Sequence, residues 1–255
     1  MIMRKLWLLV FGVAALPVAA NAQPAPASVP SPSSGTRGFV AVHVGSQVGS
    51  SDLTDSFTFA QYDETASVAA RQSYGGHVLV NVEGGWRVWG QVFAGVAFST
   101  GSSSIDAVTD ASIPNPIFFD QPRAASLQAE FDHKERAVHL FARYILPINE
   151  DLEVGFSAGP SFISVSHEVV TGITFDEGAA PFTTVVLSGA STRKESETAA
   201  TLNIGANVTY RLNPNLGVDG FLRYAKGNVD MAGATGDVEV RAGGTQIGIG
   251  VRYGF

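Results

Sequence analysis

The sequence predicts an all-β protein, an eight-stranded antiparallel transmembrane up-and-down β-barrel. Three observations predict it. From Gly38 to Phe255, apolar and polar residues alternate in eight separate runs, the period-2 mark of strands with two unlike faces. The last run, GTQIGIGVRYGF, keeps the alternation to its end: Ile247, Ile249, Val251, Tyr253 and Phe255 are apolar, and Gln246, Gly248, Gly250, Arg252 and Gly254 are polar or glycine. The links between runs alternate strictly, three short and four long, which predicts short turns at one end of a closed barrel and long loops at the other.

Composition narrows the class further. The 255 residues carry a formal net charge of -7, so no basic excess exists to attract nucleic acid. The absence of cysteine excludes disulfides, a thiol nucleophile, a cysteine metal cage and a lipid-modified cysteine. Only Lys5, Lys134, Lys194 and Lys226 supply lysine, too few to coat the outside of a soluble β-protein.

In chain order, residues 1–22 read as a cleaved secretory signal. Arg4 and Lys5 precede the apolar stretch Leu6–Leu16, and Ala20-Asn21-Ala22 supplies a small-x-small cleavage site. That apolar stretch is too short to cross a bilayer as a helix. Residues 23–37, rich in Pro, Ala and Ser, read as a periplasmic linker, and 38–255 as the barrel. The first run, Phe39–Val48, opposes Val40, Val42 and Val44 to Ala41, His43 and Gln47. The second opposes Tyr74, Val78, Val80 and Val82 to His77, Asn81 and Glu83, and Gly84-Gly85 is expected to turn into the third. There Trp86, Val88, Val92, Val96 and Phe98 oppose Arg87, Gln91 and Ser99. The fourth sets Val138, Leu140, Ala142 and Tyr144 against His139 and Arg143. The fifth sets Leu152, Val154, Phe156, Ala158 and Phe162 against Glu153, Ser157 and Ser161, with Pro160 as a candidate bulge. The sixth, Thr198–Leu212, is the clearest internal run, and the seventh opposes Leu216, Val218, Leu222 and Tyr224 to Asp219 and Arg223. Residues 49–67, 100–126, 169–197 and 227–237 are expected as long polar loops.

Alternation alone leaves open whether the apolar face meets a core or lipid. The polar face is built of Gly, Ser, Thr, Asn and Arg, which suits the narrow lumen of an eight-stranded barrel. Aromatics gather at the ends of the apolar runs: Trp86, Tyr144 and Tyr210, with Tyr253 and Phe255, near the short turns, and Tyr74, Phe98 and Tyr224 near the long loops. These are two girdles bounding a lipid-facing band. Near the short turns, inward Glu83, Glu153 and Asp219 face Arg87, Arg143, Arg211 and Arg252, a predicted lumen charge network. With this pattern and the Tyr253-Gly254-Phe255 ending, the chain resembles the small OmpA/OmpX-like eight-stranded outer-membrane β-barrels. The resemblance implies localisation to the cell outer membrane, short periplasmic turns, long extracellular loops, contact with membrane lipid and lipopolysaccharide, and recognition of Tyr253 and Phe255 by the barrel assembly machinery.

No catalytic, cofactor-binding or metal-binding motif is found. His43, His77, His133, His139 and His167 form neither an HExxH motif nor a metal spacing, and no GxSxG elbow or P-loop occurs. Ser166 and His167 are adjacent and so fall on opposite strand faces, a poor arrangement for nucleophile and base. Asp52, Asp55, Asp63, Glu64, Asp176, Glu177, Glu195 and Glu197 make the loops acidic, which fits divalent cations, a basic extracellular ligand or simple solvation. The leading expectation is a non-enzymatic barrel with a structural or adhesin-like surface role. A narrow pore for ions and small solutes is the alternative, and a lipid-modifying enzyme comes third.

Overall fold

A computed structural model describes residues 36–49, 51–234 and 236–255, so the predicted signal and all but the last two linker residues lie outside it. Among the described residues the chain is all β: β1 (Gly38–Val48), β2 (Ser51–Gln61), β3 (Glu64–Tyr74), β4 (His77–Trp89), β5 (Val92–Ile113), β6 (Arg123–Pro147), β7 (Leu152–Glu177), β8 (Val185–Arg211), β9 (Leu216–Ala232) and β10 (Asp237–Gly254). All ladders are antiparallel. β1 pairs with both β4 and β10, and β5 with both β4 and β6, so β1 and β4–β10 close into an eight-stranded barrel. Closure is tight at the short-turn end, where Gly38 N donates to Phe255 O and Phe255 N to Gly38 O, both at 2.9 Å.

Two boundaries differ from expectation. Gly84 and Gly85 do not turn; they lie inside β4, paired with Val96 and Gly95. The chain turns at Gly90-Gln91, with Gly90 at φ 51°. Gly85 is needed for space, since a Cβ there would stand 2.5 Å from the Phe39 ring. The real turn left no trace in the alternation, because a two-residue turn keeps inward and outward parity in phase. Tyr74 belongs to β3 rather than to the strand of His77. Pro160 makes no bulge either: pairings Ala142–Ala158 and His139–Ser161 share one register. Asn203 Nδ2 donates to Leu140 O (3.2 Å), the carbonyl facing Pro160, and so replaces the N–H that proline lacks.

The four long connections are mostly strand. Residues 49–67 contain β2, joined to β3 through Tyr62-Asp63 with φ of 54° and 61°, the two left-handed positions of a type I′ hairpin. β5, β6, β7 and β8 run far past their apolar stretches, leaving only residues 114–122 and 178–184 as links. Along β6 the sidedness inverts without a break in register. From Val138 to Leu146 the outward side chains Val138, Leu140, Tyr144 and Leu146 are apolar and the inward ones include His139 and Arg143. From Arg123 to Arg136 the outward ones are Ser126, Gln128, Glu130, Asp132, Lys134 and Arg136, and Phe131 faces in. One inward apolar cluster of this upper half includes Ile105, Ile163, Val165 and Met231.

The upper half is also less completely paired. β1 meets β10 only as far as Val48–Thr245, and β8 meets β9 only as far as Asn203–Ala225. Beyond those points, among the described residues, the β9–β10 hairpin is laddered only to itself. Side chains fasten it: Arg193 Nη2 donates to Ala232 O (3.1 Å), Thr201 Oγ1 to Lys226 O (2.6 Å), and Ala234 N to Asp55 Oδ2 (3.1 Å).

Candidate functional site

The chemistry-bearing side chains stand in one buried column inside the barrel. At the short-turn end, Arg211 Nη2 donates to Glu153 Oε1 (2.6 Å) and Arg252 Nη1 lies 3.5 Å from Glu153 Oε2. Arg252 Nη1 also donates to Thr209 Oγ1 (3.0 Å), whose hydroxyl donates to Asp219 Oδ1 (2.5 Å). Asp219 Oδ2 accepts from His43 Nε2 (2.8 Å), and His43 Nδ1 accepts from Asn81 Nδ2 (3.1 Å). Beside them Arg143 grips Glu83 in a fork (2.7 and 3.1 Å), and Arg223 Nη2 reaches the same carboxylate at 3.3 Å. Guanidinium planes lie over rings, Arg252 4.1 Å and Arg143 5.2 Å from the Phe39 centroid.

Farther along, Arg223 Nη1 donates to Asn81 Oδ1 (2.9 Å) and Gln246 Oε1 (3.4 Å), and Gln246 Nε2 to Gln47 Oε1 (3.2 Å). Gln47 Nε2 donates to Glu135 Oε2 (2.9 Å). There the column ends in a cluster of His133, His167, His77 and Gln72. His167 lies well beyond the apolar band. Burial, with the charge of His133 second, pushes its pKa down to about 4, so it is neutral at pH 7. A cavity of about 200 Å³ opens beside His77, His133 and Glu135.

Of the predicted network, Glu83, Arg143, Glu153, Arg211, Asp219 and Arg252 therefore meet inside the barrel. Arg87 does not join them; it sits at the mouth, 5.3 Å over the Phe93 ring, and no ion pair of Arg87 is found among the described residues. The predicted charge network omitted Arg223, although Arg223 has the inward parity of Asp219, four residues before it. Trp86, Phe98, Tyr144, Tyr210 and Tyr224 all point outward and are 44–54 % exposed. Tyr253 and Phe255 do the same, Phe255 lying 5.7 Å from the Trp86 ring. The side chain of Tyr74 is outside the described set.

Two arrangements invite a chemical reading and do not sustain it. Donor atoms of His43, Glu83 and Asp219 lie within 4.8 Å of one another, yet Arg143 and Arg223 already neutralise Glu83 and would repel a metal ion. Ser161 Oγ contacts His139 Nδ1 at 2.7 Å, but both residues are 0 % exposed and Asn203 holds the same hydroxyl at 2.8 Å. Ser166 bonds Ser196 (3.0 Å) on the strand face opposite to that of His167. Two acidic residues of the long connections serve as staples. Asp52 accepts from Ser73 Oγ (2.7 Å), and Glu177 from Tyr62 Oη (3.0 Å) and Arg123 Nη2 (3.0 Å).

No protein-family model and no curated protein sequence matches the chain. Solved structures resemble it at low identity. Outer membrane protein OprG from Pseudomonas aeruginosa aligns with a TM-score of 0.47 and 9% identity over 86% of this chain and 96% of that one. Neisserial surface protein A gives 0.45 and 14% over 86% and 97%. The outer membrane protease OmpT from Escherichia coli gives 0.43 and 12% over 85% and 97%. At these values the likenesses assign neither a family nor an activity.

Proposed function

We propose that this chain is a non-enzymatic β-barrel of a bacterial outer membrane, serving membrane integrity or surface attachment through its projecting half. The inversion of sidedness along unbroken strands carries this reading. In β6, Val138 to Leu146 span roughly 25 Å of strand, about 20 Å along a tilted barrel axis, close to the apolar band of about 25 Å in membrane barrels. Their outward side chains join a belt that includes Val42, Val80, Ile204, Leu222 and Ile249, each 43–65 % exposed. A continuous apolar belt of that extent is far larger than water-facing surfaces carry, and lipid accounts for it. Arg123 to Arg136 add about 35 Å along the axis, polar outside and partly apolar inside, where Leu127 and Phe131 stand with His133 and Glu135, the pattern of a body standing in water.

The filled interior weighs against a pore. Glu83, Arg143 and Arg223 share the lumen with Phe39, Phe141 and Phe221, all at most 5 % exposed. In this reading the belt contacts membrane lipid and lipopolysaccharide, the assembly machinery reads Tyr253 and Phe255, and an extracellular ligand meets the far end. The chain has no cysteine, so single cysteines report topology cleanly. A cysteine at Phe119 in the outermost link should react with a membrane-impermeant maleimide on whole cells, and one at Ile148 should not. Deleting Phe255 should abolish the Phe119 signal, and the refolded protein should be silent in a planar bilayer. Reversed labelling would refute the orientation, and a steady conductance altered by Glu83→Gln would install the pore instead.

A further inference from the structure

The short-turn end of the barrel holds more positive charge than it neutralises. Among the described residues of the column there, Arg87, Arg143, Arg211, Arg223 and Arg252 stand with only Glu83, Glu153 and Asp219. Five guanidiniums against three carboxylates leave two positive charges over, before any charge on His43 is added. The surplus is concentrated at the mouth, where Arg87, Arg211 and Arg252 line one cavity with Glu153 as its single acid. Their bonding is far from complete. Among the described residues, the Arg87 guanidinium meets only the Phe93 ring, that of Arg211 bonds through Nη2 alone, and that of Arg252 through Nη1 alone. Arg87 Nε and Arg211 Nε are buried without a hydrogen-bond partner, and so is Gln91 Oε1 on the same cavity. Buried donors of a charged group are costly to leave unpaired. No further acid is at hand: Glu150 and Asp151 in the adjacent turn are exposed, and no acidic residue precedes Asp52 in the sequence.

We propose that this mouth binds one small tetrahedral oxyanion, inorganic phosphate, between Arg87, Arg211 and Arg252. Charge is the first reason. A phosphate group carries about −1.5 to −2 at neutral pH, which matches the surplus, whereas a carboxylate supplies only half of it. The donors are the second, because a guanidinium presents its N–H groups in a fork that fits phosphate oxygens. Glu153 is no obstacle, since Arg211 Nη2 at 2.6 Å and Arg252 Nη1 at 3.5 Å already screen its carboxylate and are held in place by it. Gln91 adds a third reason: its unpaired oxygen needs a donor, and the P–O–H of hydrogen phosphate is one. Size is the last. The cavity has about 40 Å³, room for roughly three waters at about 10–15 Å³ each, which suits a bare ion and not a lipid head esterified on two sides. The way in is the rim, where Pro214 and Asn215 on the cavity wall are exposed. The site does not depend on which side of a membrane the mouth faces.

The test is a calorimetric titration of the refolded chain with orthophosphate in about 0.15 M NaCl, where diffuse attraction is screened. One ion per chain is expected. Arg87→Ala should weaken binding about tenfold or more, the loss of one charge-assisted partner. Lys226→Ala, which removes an exposed cation far from the mouth, should leave it unchanged. The Arg87 side chain makes no hydrogen bond among the described residues, so Arg87→Ala folds and decides the matter even if Arg211→Ala or Arg252→Ala folds poorly. Dimethyl phosphate, which carries the diester of a membrane phospholipid, should not compete. Dimethyl phosphate bound as tightly as orthophosphate would give the mouth to a lipid head and overturn the proposal. Absence of saturable binding, binding untouched by Arg87→Ala, or an equal loss in Lys226→Ala would overturn it too.

Discussion

Glu83 shows at single-residue scale how the barrel tolerates charge. It is 1 % exposed and takes three guanidinium hydrogen bonds, two from Arg143 and one from Arg223. Arg143→Ala leaves that buried carboxylate half-paired, and such a loss typically costs about 3–5 kcal/mol. Arg87→Ala at the mouth gives up a contact with Phe93 worth about 1 kcal/mol or less. Urea unfolding followed by tryptophan fluorescence should separate the two variants clearly; equal midpoints would contradict the account. At the opposite extreme of the molecule, the Arg123 hydrogen bond, aided by Tyr62, holds the Glu177 carboxyl below the usual carboxylate value. Its contribution is therefore complete above the unfolded value of about 4.3 and is lost as pH falls through the lower folded value. Acidification from about pH 6 to about pH 3 should loosen the links 114–122 and 178–184, seen as faster proteolysis there, and Glu177→Gln should do so at neutral pH. Unchanged cleavage in both cases would remove the clamp. Inward parity made Glu83, Arg143 and Asp219 legible in the sequence. The pairing of His43 with Asp219 was not, because it depends on the registers β1–β10 and β9–β10, which no single run displays.

At the scale of elements, β6 explains which half of the fold could be read in advance. Below Val138 the contrast is Leu, Val and Tyr against His and Arg, and the strand declares itself. Above it, inward Ala125 contrasts only faintly with outward Ser126, so the start of β6, 123–126, falls within the expected loop 100–126. Pairing also weakens there. Because the β9–β10 hairpin beyond Ala225 and Thr245 is, among the described residues, laddered only to itself, its backbone bonds should open without the barrel. Amide exchange in Gly227–Ala242 should be orders of magnitude faster than in Ile247–Arg252. Uniform protection along β10 would mean that Asp55, Arg193 and Thr201 hold the hairpin as firmly as ladders do.

For the whole molecule, in the membrane setting proposed above, the inverted sidedness fixes how deep the protein floats. A barrel with one uniform exterior could ride higher or lower as bilayer thickness changes. Here the change from Val138 to Arg136 on β6 has counterparts from Phe162 to Ser164 on β7 and from Tyr224 to Lys226 on β9. Sinking by one pleat would carry Arg136 and Lys226 toward hydrocarbon, at a cost rising to about 2–4 kcal/mol each at the midplane. Rising by one would lift Val138, Phe162 and Tyr224 into water and forfeit their burial in lipid. The chain thus carries a waterline in its covalent order, and a membrane of another thickness must bend to meet it.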